Sequence, residues 1–230
     1  MISRKSNILF VHIPKTAGQS IEQFFMDREG LDWDNYGHRK QFLMYRNQDQ
    51  SRGTERLAHL SAAEYVDCGY IDQSEFEQLF KFSFVRNPWE RILSEYRYRN
   101  YVHHRSFRQF ILKRLPKPGW DDQYRHVMPQ YDMLYKDGRL LVDFVGRFEN
   151  LQQDFDKICE TLSIEESELP FRNRSAKVSR NMRRKLRNWV FLNGENGKRT
   201  LAEYYDADTR DAVAEIYARD IETFGYEFPS

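Results

Sequence analysis

Ile8-Leu9-Phe10-Val11-His12-Ile13-Pro14-Lys15-Thr16-Ala17-Gly18-Gln19-Ser20-Ile21-Glu22-Gln23-Phe24-Phe25 changes its hydrophobic period halfway along. Ile8 to Val11 is a short apolar run that Pro14 ends, which suits a buried strand better than a helix. Lys15 to Ser20 is small and polar with one cation, and then Ile21, Phe24 and Phe25 recur as one face of a helix. The stretch is therefore strand, tight loop, helix. A loop of this form leaves unpaired N–H groups at a helix N-terminus, where the dipole also favours negative charge, so a phosphate or sulfate fits there. An ordinary strand-to-helix turn remains the plainer reading; Lys15-Thr16 and Gly18-Gln19-Ser20 favour the anion site. The nucleotide P-loop, Gly-x-x-x-x-Gly-Lys-Ser/Thr, does not fit, because Lys15 precedes Gly18 and Pro14 stiffens the entry.

A second strand and helix follow in Leu79 to Tyr96. Phe80, Phe82 and Phe84 alternate with Lys81 and Ser83, which predicts a strand with at least one apolar face. Asn87 is placed to cap the next helix, Pro88 suits its first position and Glu90 the acid of a capping box, while Trp89, Ile92, Leu93 and Tyr96 form an apolar stripe. Ser94 then falls opposite that stripe, with Arg91 nearby, and Arg86 stands at the strand's carboxyl end. A guanidinium fork and a hydroxyl so placed can converge on a phosphate monoester, although either residue alone reads equally as solvated surface. A kinase would want a magnesium-holding acid where the chain has Arg86.

The chain has 230 residues, 40% of them hydrophobic and 15% aromatic, with a formal net charge of +1, which predicts one globular domain over 1–230. The near-zero charge makes no general case for nucleic acid or an anionic membrane. Cys68 and Cys159 are too few for a disulfide framework, and no Cys/His spacing of a zinc site is present, so no metal is expected. No apolar run is long enough to span a bilayer, and the start carries no apolar signal region, which predicts a soluble chain.

Between the two motifs, Asp27 to Arg56 is polar and reads as mostly loop, with His38 in it. In Arg56 to Glu64, Ser61 and Glu64 form a capping box that starts a short helix, with His59 just outside. A histidine held there can serve as a base near neutral pH or simply fill a surface groove; both readings stay open. Arg97 to His126 is crowded with Tyr, Arg and His: an acceptor groove and a solvated face fit equally, and no nucleic-acid module accompanies it. Leu140 to Phe148 reads as a strand and Leu151 to Leu162 as a helix. Phe171 to Gly194 has no acid and is the most basic segment. Asp206 is placed to cap a last helix whose stripe is Val213, Ile216, Tyr217, Ile221 and Phe224, ending at Gly225. Strands alternating with helices predict an α/β fold with a mostly parallel central sheet, both motifs lying at strand carboxyl ends.

His12 to Ser20 resembles the 5′-phosphosulfate loop of sulfotransferases that use 3′-phosphoadenosine 5′-phosphosulfate (PAPS), in its carbohydrate branch (heparan and chondroitin sulfotransferase-like). Gln19 departs from the usual Thr or Ser and leaves Ser20 to supply a hydroxyl. Arg86-Asn87-Pro88-Trp89-Glu90-Arg91 with Ser94 resembles the 3′-phosphate motif of the same enzymes, and Asp143 to Asn150 resembles a further family segment. The resemblance implies PAPS as co-substrate, held by Pro14, Lys15, Thr16, Ala17, Gly18, Gln19, Ser20, Arg86 and Ser94, with Arg174 added from the place of the family's Asn-x-Ser. It implies Lys15 as the catalytic cation and His59 as the acceptor-side base, with His38 as rival, and a hydroxyl-bearing acceptor such as a glycan. Both a cytoplasmic enzyme of bacterial type and a Golgi enzyme without its anchor agree with it. A nucleotide kinase with an atypical loop and a non-catalytic anion-binding module are the alternatives.

Overall fold

The strand Ile8–Val11 is buried on both faces, and its neighbours explain why it carries no polar side chain. The structure, a computed structural model, describes residues 1–49, 52–165, 168–170 and 200–229. In chain order its elements are β1 (Ile2–Ser3), β2 (Ile8–Val11), α1 (Gly18–Arg28), α2 (Tyr36–Gln41), α3 (Glu64–Asp67), α4 (Gln73–Gln78), β3 (Phe80–Val85) and α5 (Pro88–Tyr98). They continue with α6 (Phe107–Lys113), α7 (Asp122–Val127), α8 (Gln130–Leu134), β4 (Tyr135–Lys136), β5 (Arg139–Leu140), β6 (Phe144–Arg147), α9 (Leu151–Thr161), α10 (Ala207–Ile216) and α11 (Ala218–Phe224).

Four strands form a sheet in the order β1-β2-β3-β6, with β1 antiparallel to β2 and the other pairs parallel. The fold is thus α/β with a mostly parallel central sheet, as the sequence predicts. Ile8 pairs with Phe80 and Val11 with Ser83, while Phe84 pairs with Gly146. The pleat sends Ile8, Phe10, Phe82 and Phe84 to one face, against Ile21 and Phe25 of α1 and Phe155 and Ile158 of α9. Leu9, Val11 and Val85 face the other way, against Leu57, Tyr65, Met133 and Leu134. Gly146 is glycine for a packing reason, because a Cβ there would stand 2.5 Å from the Phe84 ring.

The alternate residues of β3 are polar yet buried. Ser83 donates to Val11 O at 2.7 Å, and the Lys81 ammonium pairs with Asp143 at 2.9 Å, so the second face of this strand is covered too. A third cluster joins Trp89, Ile92 and Tyr96 of α5 to Phe107 and Phe110 of α6 and Val213 and Tyr217 beside α10.

Several boundaries differ from the sequence reading. The polar stretch 27–56 contains α2, which Asn35 caps by accepting from the N–H groups of Gly37 and His38. The span 140–148 divides into β5 and β6. Asp137 and Gly138 both have positive φ and close a tight β4–β5 hairpin, and Asp143 then leaves the strand path to accept from Lys81 N–H at 2.8 Å. The last helix is two: Tyr217 at φ −108° and ψ 26° breaks it, α11 ends at Gly225 with φ 61°, and Ile216 of the expected buried stripe is exposed. The basic segment, Arg174 included, lies outside the described residues.

Candidate active site

Pro14 to Ser20 turn the chain from β2 into α1 through two left-handed residues, Lys15 at φ 74° and Ala17 at φ 66°. Non-glycine residues rarely hold that conformation, and two so close together concentrate strain where β2 meets α1. Three ties hold the loop. Thr16 Oγ1 donates to Ile13 O at 2.8 Å, Arg91 Nε donates to Pro14 O at 3.1 Å, and Arg86 Nη1 donates to Lys15 O at 3.4 Å. The two guanidinium groups thus hold the loop's first carbonyls toward α5. Thr16 is buried with its hydroxyl turned inward, Gln19 is exposed, and Ser20 is half-buried.

Gly18, the first residue of α1, accepts the His12 ring against its backbone: a Cβ would stand 2.1 Å from His12 Cδ2. His12 is buried, with Nδ1 2.7 Å from the Glu22 carboxylate one turn into α1. Its other nitrogen therefore lies against the loop.

The Lys15 ammonium lies 4.0 Å from the centroid of Tyr98 on α5. Burial lowers the Lys15 pKa to about 8, the carboxylate of Glu95 opposes the shift, and Arg86 and Arg99 add to it. Arg86 leaves the end of β3, stacks at 4.1 Å on Phe148 and pairs with Glu90 at 3.0 Å. Its backbone is pinned by Gln130, which accepts from Arg86 N–H and donates to Arg86 O, both at 2.8 Å. Asp220, fully buried, holds Gln130 in turn at 2.9 Å. Asn87 caps α5 as expected, and Glu90 serves Arg86 instead of completing a capping box.

Ser94 is half-buried on α5, between Arg91 three residues before it and Tyr98 four residues after. Those neighbours share its helix face and touch residues 14 and 15, so Ser94 lies on the face of α5 that is turned to the loop. The sequence placed Arg91 with Ser94 away from the core. Arg91 is instead buried, donating also to Met128 O at 2.9 Å and His126 O at 3.2 Å, because the carbonyls of the loop and of the end of α7 need donors there.

His59 is buried beside the loop. Its ring meets His12 edge-on at 4.8 Å and His126 at 5.2 Å, and Nδ1 lies 3.3 Å from His12 O. Burial sends its pKa well below 6.5, and the neighbouring His12 and His126 push the same way. The helix start expected beside it is present in half: Glu64 accepts from Ser61 N–H at 2.8 Å, but α3 is one turn long and has no side-chain cap. His38 stands apart on α2, accepting from Asp32 N–H at 2.9 Å.

The sequence reading passed over His126, Glu95 and Asp122. His126 Nδ1 lies 2.7 Å from Glu95, Glu95 pairs with Arg99 at 2.7 Å, and Arg99 reaches Asp122 at 2.9 Å. Burial opposes ionisation of Glu95, but hydrogen bonds and charge from His126 and Arg99 prevail and lower its pKa. The missed signal was spacing: Glu95 and Arg99 are one turn apart on α5, as are Asp122 and His126 on α7.

The loop, its lysine and a forked arginine lie at the carboxyl ends of parallel strands, where α/β folds bind ligands. The chain belongs to the sulfotransferase family, whose family model matches residues 1–227. It is also 32% identical over 101 residues to an uncharacterized protein of Archaeoglobus fulgidus, an alignment covering 42% of this chain and 78% of that one. No solved structure matches it. Among the described residues, no helix is long and apolar enough to cross a membrane.

Proposed function

We propose that this transferase moves a sulfuryl group from PAPS to a hydroxyl, on a carbohydrate acceptor, without using a metal in the transfer itself. The observation that supports the reading is that two neighbours of the loop touch Lys15: Arg86 donates to Lys15 O, and Tyr98, four residues after Ser94 on α5, lies under the Lys15 ammonium. In the proposed complex the 5′-phosphosulfate lies over residues 14–20 at the N-terminus of α1, and the 3′-phosphate lies between Arg86 and Ser94.

The acceptor oxygen attacks sulfur as the bond from sulfur to the bridging phosphate oxygen breaks. Negative charge grows on that oxygen, and Lys15 leaves the Tyr98 ring to meet it, giving adenosine 3′,5′-bisphosphate as leaving group. The acceptor proton passes to His59 Nε2. Nδ1 faces a carbonyl, which can only accept, so Nδ1 carries the hydrogen and Nε2 has the free lone pair.

Calorimetric titration with adenosine 3′,5′-bisphosphate and with ATP tests the donor. The proposal expects tight binding of the first and weak binding of the second. Equal affinity, or preference for ATP with magnesium, would instead favour a kinase; binding of the bisphosphate with no turnover on any hydroxyl acceptor would favour an anion-binding module.

A further inference from the structure

His59, Asp122 and His126 come from two separate segments, yet one ligand atom of each lies within 4.8 Å of the other two. Asp122 Oδ1 is 3.6 Å from His126 Nε2 and 3.9 Å from His59 Nε2. Ligand atoms held ~2.0–2.2 Å from a tetrahedral zinc ion stand about 3.4 Å apart, so the three atoms would complete three corners of such a site by closing in on one another.

The hydrogen-bond pattern says what this pocket lacks. His59 Nδ1 faces the His12 carbonyl at 3.3 Å, and His126 Nδ1 faces the Glu95 carboxylate at 2.7 Å. Both partners only accept, so both Nδ1 atoms carry hydrogen, and with each imidazole neutral both Nε2 atoms turn lone pairs toward Asp122. Asp122 Oδ1 is itself buried and has no hydrogen-bond partner among the described residues. In that state three electron-rich atoms face one another. Arg56 Nε approaches Oδ1 to 3.4 Å outside hydrogen-bond geometry, from a side chain 58% exposed and able to swing away. Arg99 occupies the other carboxylate oxygen at 2.9 Å and leaves Oδ1 free.

We infer that His59, Asp122 and His126 form a binding site for a divalent transition ion, zinc foremost. Two imidazoles and one carboxylate are a borderline donor set that suits zinc, with the remaining position open to water. The outer partners, Glu95 on His126 and the His12 carbonyl on His59, are those that fix ligating histidines in the required tautomer. Resting on the proposed function, the site has a second consequence: the ion takes the Nε2 lone pair of His59 that proton transfer needs, so bound zinc stops turnover.

Chelator-stripped protein titrated with Co²⁺, followed by visible absorption and by metal analysis after dialysis, tests the site without any assay of activity. One equivalent should bind with a visible band and be displaced by Zn²⁺. Asp122→Asn and His126→Ala should each weaken binding at least about tenfold, and Glu95→Gln, which touches only the outer shell, by about ten- to a hundredfold. Arg56→Ala, which removes a competing cation, should tighten it. Circular dichroism establishes that each variant folds; if His126→Ala does not, the near-isosteric Asp122→Asn still decides. Absence of stoichiometric uptake, or uptake that folded Asp122→Asn leaves unchanged, overturns the site. Turnover that persists with the ion bound overturns the inhibitory consequence and the role of His59 as base, while the metal site stands.

Discussion

The ammonium of Lys15 lies 4.0 Å from the centre of the Tyr98 ring, so the loop's cation rests on the helix that also presents Ser94. Burial lowers its pKa to about 8, with Glu95 opposing and two arginines adding to the shift. In the free enzyme Lys15 is charged below that pH and loses its proton above it. The expected outcome is that kcat/KM for PAPS declines as pH rises through about 8. Lys15→Met should remove that limb and lower transfer several hundredfold, since one donor aimed at developing charge is worth about 3–4 kcal/mol. Turnover of Lys15→Met at the wild-type rate would rule the mechanism out.

Arg86 and Ser94 are assigned to the 3′-phosphate, which makes a difference measurement decisive. Arg86→Ala should weaken PAPS by about 1.5–3 kcal/mol, the size of a charge-assisted hydrogen bond, and Ser94→Ala by less. Neither should change binding of adenosine 5′-phosphosulfate, which lacks that phosphate. Equal losses for both ligands would mean that the side chains serve the loop and helix instead, a role the Arg86 bond to Lys15 O already suggests as the rival.

Gly18 is tested by a single methyl group. Its Cβ would overlap the His12 ring at 2.1 Å, so Gly18→Ala must displace the ring and break its 2.7 Å pair with Glu22. Glu22 would then be left buried without its partner. Leaving a buried acceptor unpaired in this way costs about 1–3 kcal/mol, which should appear as a lower midpoint in urea unfolding with an unchanged slope. A midpoint within error of wild type would mean that the loop relaxes to make room.

The strands and the two long helices of the motifs were legible because their signals are local. Period-two alternation marked β3, and Asn87-Pro88 marked the start of α5. The strand-loop-helix turn was legible as a motif, but its backbone was not, since no residue type announces that Lys15 and Ala17 adopt positive φ. The histidine cluster was illegible for another reason. His59 and His126 are far apart in sequence, and only the packing of α7 against α5 and the loop after residue 56 brings their rings to 5.2 Å. Arg91 was misplaced because helical periodicity gives its angle around α5 but not the neighbours there, which are three carbonyl oxygens.

The base is tested by rate and stability together, in protein kept free of transition ions by chelator. General-base assistance is worth about a hundredfold to ten-thousandfold, so His59→Ala should lower kcat by that order with donor affinity nearly unchanged. Because burial holds the folded pKa well below 6.5, Nε2 is already free at neutral pH. The wild-type rate should therefore stay level as pH falls past 6.5 and decline only below it. Stability has a related sign. The unfolded chain takes up a proton near pH 6.5 while the folded chain refuses it, so the stability tied to neutral His59 is present above that pH and is lost as pH falls toward the folded value. His59→Gln should flatten that acid limb in urea unfolding. The opposite outcome is expected for His38: its ring, on α2, accepts from Asp32 N–H just before that helix, so His38→Ala should leave both profiles intact. If His38→Ala abolished transfer while His59→Ala kept the rate and its pH profile, the polar segment before α3 would carry the base.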